Sequence, residues 1–178
     1  GEGRFFCGDG DGKSTAAKGL THMEFFIPGF GKGFVFWDNE GFLRRIILPG
    51  QKGVSRDAVA AEARQCAGGH PFLAALAEYL QGRCRDLYFP YRLEGTDFQI
   101  RVWRALTEIP YGETRTYKEI AEAVGSPGAV RAVGQACGAN PLPLLIPCHR
   151  VVATGGPGGF GGGLPLKRYL LRLEGVKI

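Results

Sequence analysis

The sequence predicts an α+β fold, in which a small antiparallel-sheet domain precedes a helical domain with a helix-turn-helix. Three observations predict it. Short aromatic and β-branched segments between residues 23 and 49 are separated by glycine, aspartate and asparagine, as in hairpins. From residue 97 onward, apolar residues instead recur every three or four positions. Two of the helical stretches flank a glycine turn, which is typical of a helix-turn-helix, although many helical hairpins share it.

The sheet domain is expected over residues 23–92. The first 22 residues show no hydrophobic period and precede the only methionine, so we expect a leader or an artificial extension and a native start at Met23. The predicted strands cover residues 23–28, 33–38 and 42–49.

Helices are expected to follow the strands. Apolar residues at helical spacing predict a helix over Pro71–Gln81 that ends at Gly82, and a weaker pattern predicts one over Val54–Cys66. The tyrosines and phenylalanine around Pro90 predict an edge strand or an extended linker that leaves the domain.

The helical domain is expected over residues 93–178. Asp97 is expected to cap its first helix, which Pro110 and Gly112 terminate. The apolar residues of this helix follow a 3.6-residue period: Phe98, Val102, Leu106 and Ile109.

The helix-turn-helix is expected to follow. Thr116 is expected to cap a short helix that runs to Val124, with Gly125 in the turn. Ser126 and Pro127 then open a further helix that runs to about Cys137.

Composition and charge narrow the functional classes. The chain has no run of eighteen apolar residues, which excludes a membrane-spanning helix from the sequence and favours a soluble intracellular protein. Five irregularly spaced cysteines argue against both a disulfide framework and a structural zinc site. Residues 97–178 hold ten lysines and arginines against six acids, which fits a polyanionic partner.

The last helix of the helix-turn-helix consists of small residues. It offers Ala129, Ala132, Gly134 and one arginine, Arg131, where base-reading helices usually carry several amides and cations. Such a helix suits sequence-tolerant contact with the minor groove. The same small residues would also let the helix pack closely on a neighbouring element, and the pattern alone leaves both interpretations open.

The heptapeptide Ile146–Val152 sets a cysteine beside a histidine in an apolar frame. Burial would raise the pKa of the Cys148 thiol unless a basic partner such as His149 favours the thiolate. Neighbouring residues of a strand point to opposite faces, so the two cooperate only if the backbone bends or a water bridges them. A buried structural cysteine beside a surface histidine is the alternative.

Three segments carry a resemblance to a known family: DFQIRVWRALTEIPYGETRTYKEIAEAVGSP, AVRAVGQACGANPLPLLIPCHRVV and GFGGGLPLKRYLLRLEG. Together they resemble the O6-alkylguanine-DNA alkyltransferases from Asp97 to Gly175. The related alkyltransferase-like proteins carry tryptophan at the reactive position, which Cys148 occupies here. The first half of the chain is similar only in outline.

The resemblance implies a role for each matching residue. Cys148 is the alkyl acceptor, with His149 acting through a water, Glu174 orienting the imidazole and Tyr117 donating to guanine N3. Arg131 fills the gap left by a flipped nucleotide, and Asn140 is a structural hinge. The remaining implied DNA contacts are Ala129, Ala132, Gly134, Thr116 and Ser126. The implied pocket is formed by Val151, Phe160, Gly161, Cys137 and Pro143, with the carbonyls of Cys148 and Val151 accepting from the guanine amino group.

The resemblance implies DNA repair by direct reversal. An alkyl group would pass irreversibly from O6 of guanine to Cys148, once per chain, without a metal or organic cofactor. The expected partner is double-stranded DNA that contains O6-alkylguanine, and the expected protein is a monomer in the cytoplasm, or in the nucleus of a eukaryote. Two alternatives stay open: a non-catalytic alkyl-lesion-binding protein and a thiol hydrolase.

Overall fold

The computed structural model describes residues 19–51, 64–65 and 69–178. The chain divides into two compact units, Gly1–Glu94 and Gly95–Ile178. The division falls two residues after the boundary expected from the sequence, at residues 92 and 93.

The first unit is built on a four-stranded sheet of order β3-β2-β1-β4. Its strands are β1 (Thr21–Ile27), β2 (Gly31–Trp37), β3 (Leu43–Ile47) and the two-residue β4 (Arg64–Gln65). The first three are antiparallel, as expected, whereas β4 pairs parallel with β1. A turn joins β1 to β2, in which Gly29 has a φ of 86° and the N–H of Phe30 donates to the carbonyl of Ile27 at 2.9 Å.

Two expectations for this unit are wrong in part. Thr21 and His22 belong to β1, where they pair with Trp37 and Phe36, so the residues before Met23 are not all foreign to the fold. At Arg64 and Gln65 the helix expected over Val54–Cys66 is wrong, because the backbone of these two residues forms β4 and pairs with that of β1. The other residues of that expected span, and residues 1–18, lie outside the described residues.

A helix and an extended segment complete the first unit. Helix α1 (Pro71–Leu80) has the expected position, and the side chain of His70 caps it by accepting from the N–H of Phe72 at 3.0 Å. The segment around Pro90 is extended, as expected, and the carbonyl of Pro90 accepts from the N–H of Leu43 at 3.0 Å.

The second unit begins with helix α2 (Asp97–Thr107), whose cap differs from the expectation. Thr96, not Asp97, is the N-cap: its hydroxyl accepts from the N–H of Gln99 at 3.1 Å, and the Gln99 side chain accepts from the N–H of Thr96 at 3.0 Å. This reciprocal capping box satisfies two N–H groups at the helix start, which an N-cap at Asp97 would leave without these partners.

The helix-turn-helix consists of α3 (Tyr117–Ala123) and α4 (Val130–Gly138). Thr116 caps α3 as predicted, by accepting from the N–H of Glu119. Helix α4 begins later than predicted because the N–H of Ala129 donates to the carbonyl of Ser126 at 2.9 Å. That bond closes a turn before the first helical residue, with Ala129 as the N-cap.

The core of the second unit holds the helix-turn-helix against α2. The indole N–H of Trp103, on the buried face of α2, donates to the carbonyl of Ala136 in α4 at 2.8 Å. Helix α5 (Leu164–Leu173) closes the unit, and β5 (Arg115–Thr116) pairs parallel with β6 (Val151–Val152). Within the described ranges, the helices are too short or too polar to cross a membrane.

Candidate active site

A buried loop over residues 140–147 carries the chain from α4 to the candidate nucleophile. Asn140, only 5% exposed, anchors the loop from inside. Its amide donates to the carbonyl of Ile146 at 2.8 Å, and its side-chain oxygen accepts from the N–H of Leu142 at 3.0 Å. Leu144 has a φ of 76°, the left-handed region that a leucine rarely adopts. These bonds hold a backbone path that the chain would not otherwise favour.

Cys148 follows the loop at the start of a 3₁₀ turn, Cys148–Arg150. The turn bends the backbone here, which is one of the two conditions under which adjacent cysteine and histidine side chains could cooperate. Cys148 is buried, and burial raises the pKa of its thiol. The side chain of Asn140 and the charge of Lys167 act in the opposite direction and favour the thiolate.

His149 and Glu174 form a buried pair. The Nε2 atom of His149 lies 2.7 Å from Oε2 of Glu174, and both side chains are 0% exposed. Glu174 sits at the C-terminal end of α5, where its backbone closes the last turn. Burial lowers the pKa of His149, although Glu174 opposes that effect. Burial therefore favours the neutral ring, which is the form that can accept a proton.

Arg150 also contacts Glu174, which the sequence analysis did not foresee. Its Nε donates to Oε1 at 2.7 Å and its Nη2 to Oε2 at 3.1 Å, while Nη1 donates to the carbonyl of Ile109 at 2.8 Å. The pairing explains how a carboxylate can lie at a helix C-terminus, where the helix dipole alone would disfavour it. The position of Arg150 within the heptapeptide Ile146–Val152, directly after His149, was the available signal.

Lys167 is a second cation that the sequence analysis missed. Its Nζ donates to the carbonyls of Val151 at 2.5 Å and Gly159 at 3.0 Å, and the residue is 0% exposed. Burial lowers the pKa of Lys167 to about 8, although the nearby Cys148 and Cys137 act to raise it. The carbonyl of Val151, expected to face a guanine amino group, thus already accepts from a lysine.

A cavity of about 180 Å³ opens onto the thiol. Its lining residues are Tyr117, Gly134, Cys137, Gly138, Cys148, Gly159, Phe160 and Gly161. The phenolic hydroxyl of Tyr117 lies 3.5 Å from the carbonyl of Gly159. Burial raises the pKa of the Cys137 thiol to about 12.

Most of the expected pocket residues lie in this lining. Phe160, Gly161 and Cys137 are found there together with Cys148 and Tyr117. Val151 and Pro143 are buried but are not in the lining, and Pro143 pairs by a β-bridge with Ile146. The lining also includes Gly138 and Gly159. Gly159 belongs to the glycine-rich run of residues 155–163, which was its signal in the sequence, whereas Gly138 had none.

The expected DNA-binding residues lie on the helix-turn-helix. Arg131 is exposed in the first turn of α4, and Ala129 and Ala132 are half-buried beside it. Gly134, on the same helix, lines the cavity. Thr116 and Ser126 are half-buried at the start of α3 and in the turn. Over the described ranges, histidine, cysteine and acidic side chains form no cluster suited to a metal ion.

The fold and the site together define a class of protein in which a buried cysteine, followed by a buried histidine–glutamate pair, lies beside a helix-turn-helix. A family model, the DNA-binding domain of 6-O-methylguanine DNA methyltransferase, matches residues 97–176. The chain belongs to this family.

Relatives and solved structures agree with the family model. Methylated-DNA–protein-cysteine methyltransferase of Mycobacterium tuberculosis (strain H37Rv) is 54% identical over 100 residues, which cover 56% of this chain and 61% of the relative. The probable methyltransferase of the same name from Acanthamoeba polyphaga mimivirus is 50% identical over 105 residues, 57% and 69% of the two chains. The crystal structure of M. tuberculosis OGT in complex with DNA superposes with a TM-score of 0.79 and 37% identity, over 87% of this chain and 93% of that one. The aligned region thus spans 61% of the mycobacterial relative's length.

Proposed function

We propose that the protein repairs DNA by moving an alkyl group from O6 of guanine to Sγ of Cys148. In this step the Sγ–carbon bond forms as the carbon–O6 bond breaks, and the guanine leaves after taking up a proton. The thioether is not hydrolysed under mild conditions, so each chain reacts once. The observation that carries the proposal is a buried thiol that opens onto a cavity and is followed by the His149–Glu174 pair.

The histidine–glutamate pair would activate the thiol. Burial raises the pKa of Cys148 and so favours the protonated thiol, which is a weak nucleophile. A neutral His149 would take the thiol proton through a water, and Glu174 would stabilise the imidazolium that results. The charge of Lys167 favours the thiolate in the same step.

The cavity would hold the extruded base. Tyr117 would donate its hydroxyl to guanine N3, Phe160 and Cys137 would form walls, and the N–H of Gly161 would lie near O6. The carbonyl of Cys148 would accept from the guanine amino group; that of Val151 could do so only as a second bond, because Lys167 already donates to it. Pro143 would support the pocket from behind.

Double-stranded DNA that contains O6-alkylguanine is the proposed partner. The small residues Ala129, Ala132 and Gly134 would let α4 lie close to the minor groove. Thr116 and Ser126 would then lie near the DNA backbone. Arg131, exposed at the start of α4, would enter the duplex in place of the flipped nucleotide. We propose a monomer that acts in the cytoplasm, or in the nucleus of a eukaryote, with Asn140 as the hinge between the helix-turn-helix and the nucleophile.

The intact mass of the protein, with peptide mapping, tests the reaction after incubation with a duplex that carries O6-methylguanine. One methyl group on Cys148, absent from Cys148→Ser, is the expected result. Binding to the lesion without a mass gain would favour a non-catalytic lesion-binding protein, and repeated turnover would favour a hydrolase.

Arg131→Ala tests base extrusion separately. We expect it to slow the reaction with duplex DNA far more than the reaction with free O6-benzylguanine, because only the duplex requires an extruded base to be replaced. Equal losses on the two substrates would remove Arg131 from that role.

A further inference from the structure

One carboxylate serves two neighbouring residues in the candidate active site. Oε2 of Glu174 lies 2.7 Å from Nε2 of His149 and accepts from Nη2 of Arg150 at 3.1 Å. Its other oxygen, Oε1, accepts from Nε of Arg150 at 2.7 Å. The side chains of His149 and Glu174 are 0% exposed and that of Arg150 is 10% exposed, so water screens these charges little.

We propose that Arg150 is a positioning residue that keeps His149 neutral, and so ready to accept the thiol proton, through the carboxylate they share. This inference rests on the proposed function, since it assigns His149 the role of base for Cys148.

The guanidinium is fixed from outside the pair. Nη1 of Arg150 donates to the carbonyl of Ile109 at 2.8 Å, and the guanidinium lies 5.7 Å from the centre of the Tyr111 ring. Because two bonds of 2.7 and 3.1 Å meet at the same oxygen, the His149 and Arg150 nitrogens lie within about 6 Å of each other. A like charge at that distance disfavours the imidazolium.

Among the described residues, the charges of Glu174, Arg150 and Lys167 act on His149. Glu174 favours the protonated ring, whereas Arg150 and, more weakly, Lys167 oppose it. Burial opposes protonation most strongly and lowers the pKa of the ring. Without Arg150, the buried carboxylate would lack its main counter-charge, and the His149–Glu174 pair would take up a proton from solvent at higher pH.

A proton taken up from solvent would prevent His149 from acting as the base. A ring already protonated from solvent cannot accept the proton of Cys148, so the transfer rate falls as pH drops below the pKa of the ring. Removing the charge of Arg150 therefore moves this acidic limb to higher pH. A merely structural loss would lower the rate at every pH by a similar factor.

Arg150→Gln tests the proposal, with Arg172→Gln as the matched control. Arg172 lies on α5 two residues before Glu174, is exposed, and donates to the carbonyl of Ile178 instead. NMR follows the ring of His149, one of three histidines, through a pH titration, and the transfer rate is measured at about pH 6 and about pH 8. We expect the ratio of the two rates to grow at least about tenfold in Arg150→Gln and to stay unchanged in the control.

Arg150→Lys separates charge from geometry. It keeps the charge but cannot form the two-pronged pair, so we expect its His149 titration to stay close to that of the wild type while Arg150→Gln moves. If Lys and Gln shift the titration alike, or if neither does, the proposal is overturned.

Two outcomes remain informative when a variant or the reaction fails. If Arg150→Gln does not fold, the wild-type titration decides: a ring that is protonated at about pH 7 would overturn the proposal, and a neutral ring there with the unshifted Arg150→Lys would support it. If the wild-type chain gains no alkyl group, the proposed function fails, whereas the NMR titrations still decide the role of Arg150.

Discussion

Replacing Asn140 by alanine should destabilise the second unit strongly. The substitution removes two hydrogen bonds inside the protein, the one donated to Ile146 and the one accepted from Leu142. Both bonds lie in a buried loop, so the N–H of Leu142 would lose this partner without gaining bulk water. The carbonyl of Ile146 would keep the bond that it accepts from the N–H of Cys148 at 2.8 Å. A buried polar group left without a partner costs about 1–3 kcal/mol.

The two lost bonds set the magnitude. Counting one stranded N–H at about 1–3 kcal/mol and one lost hydrogen bond at about 0.5–1.5 kcal/mol, we expect the free energy of unfolding to fall by about 1.5–4.5 kcal/mol. The same loop holds Leu144 in a left-handed backbone conformation and positions Cys148, so the alkyl-transfer rate should also fall in Asn140→Ala.

Urea denaturation provides the assay, and the chain supplies its control. Asn39, the only other asparagine, is exposed in a turn of the first unit. Asn39→Ala should therefore change the free energy of unfolding by no more than about 0.5 kcal/mol. A change as small as this in Asn140→Ala would refute the reasoning, because the two buried bonds would then carry no net stability.

Three further changes have defined outcomes. Thr116→Ala should lower the free energy of unfolding by about 1 kcal/mol in urea denaturation, because the cap of α3 is lost; an unchanged value would contradict it. Gly158→Ala should slow alkyl transfer and lower the melting temperature more than Gly155→Ala: both have positive φ, but only at Gly158 would a methyl meet the Tyr117 ring, at 2.8 Å. Equal effects would show that backbone strain alone is responsible. Finally, the lowered pKa of His149 means that the unfolded chain binds that proton first, so stability present at about pH 7 should decline towards about pH 5 in thermal melts. His149→Gln should reduce this decline; an equally steep decline would assign it to other groups.

Local patterns were sufficient for much of the fold. The three antiparallel strands, α1 and the helix-turn-helix follow from residue spacing, because a side chain's partners within one strand or helix lie only a few residues away. Two helix starts were misplaced for the same reason. At each of these starts, neighbouring residues of similar type could begin the helix. The capping box at Thr96 and the hydrogen bond between Ser126 and Ala129 decide which residue does so.

The sequence by itself predicted Cys148 as the candidate nucleophile beside His149, and a family resemblance added Glu174 as the partner of His149. Their proximity is a tertiary fact, since twenty-five residues separate the two partners. Only the tertiary structure placed Arg150 on Glu174 and Lys167 on the carbonyl of Val151. No periodicity records such contacts, because they depend on how α5 packs against the 3₁₀ turn, and burial then sets which of these groups carry charge.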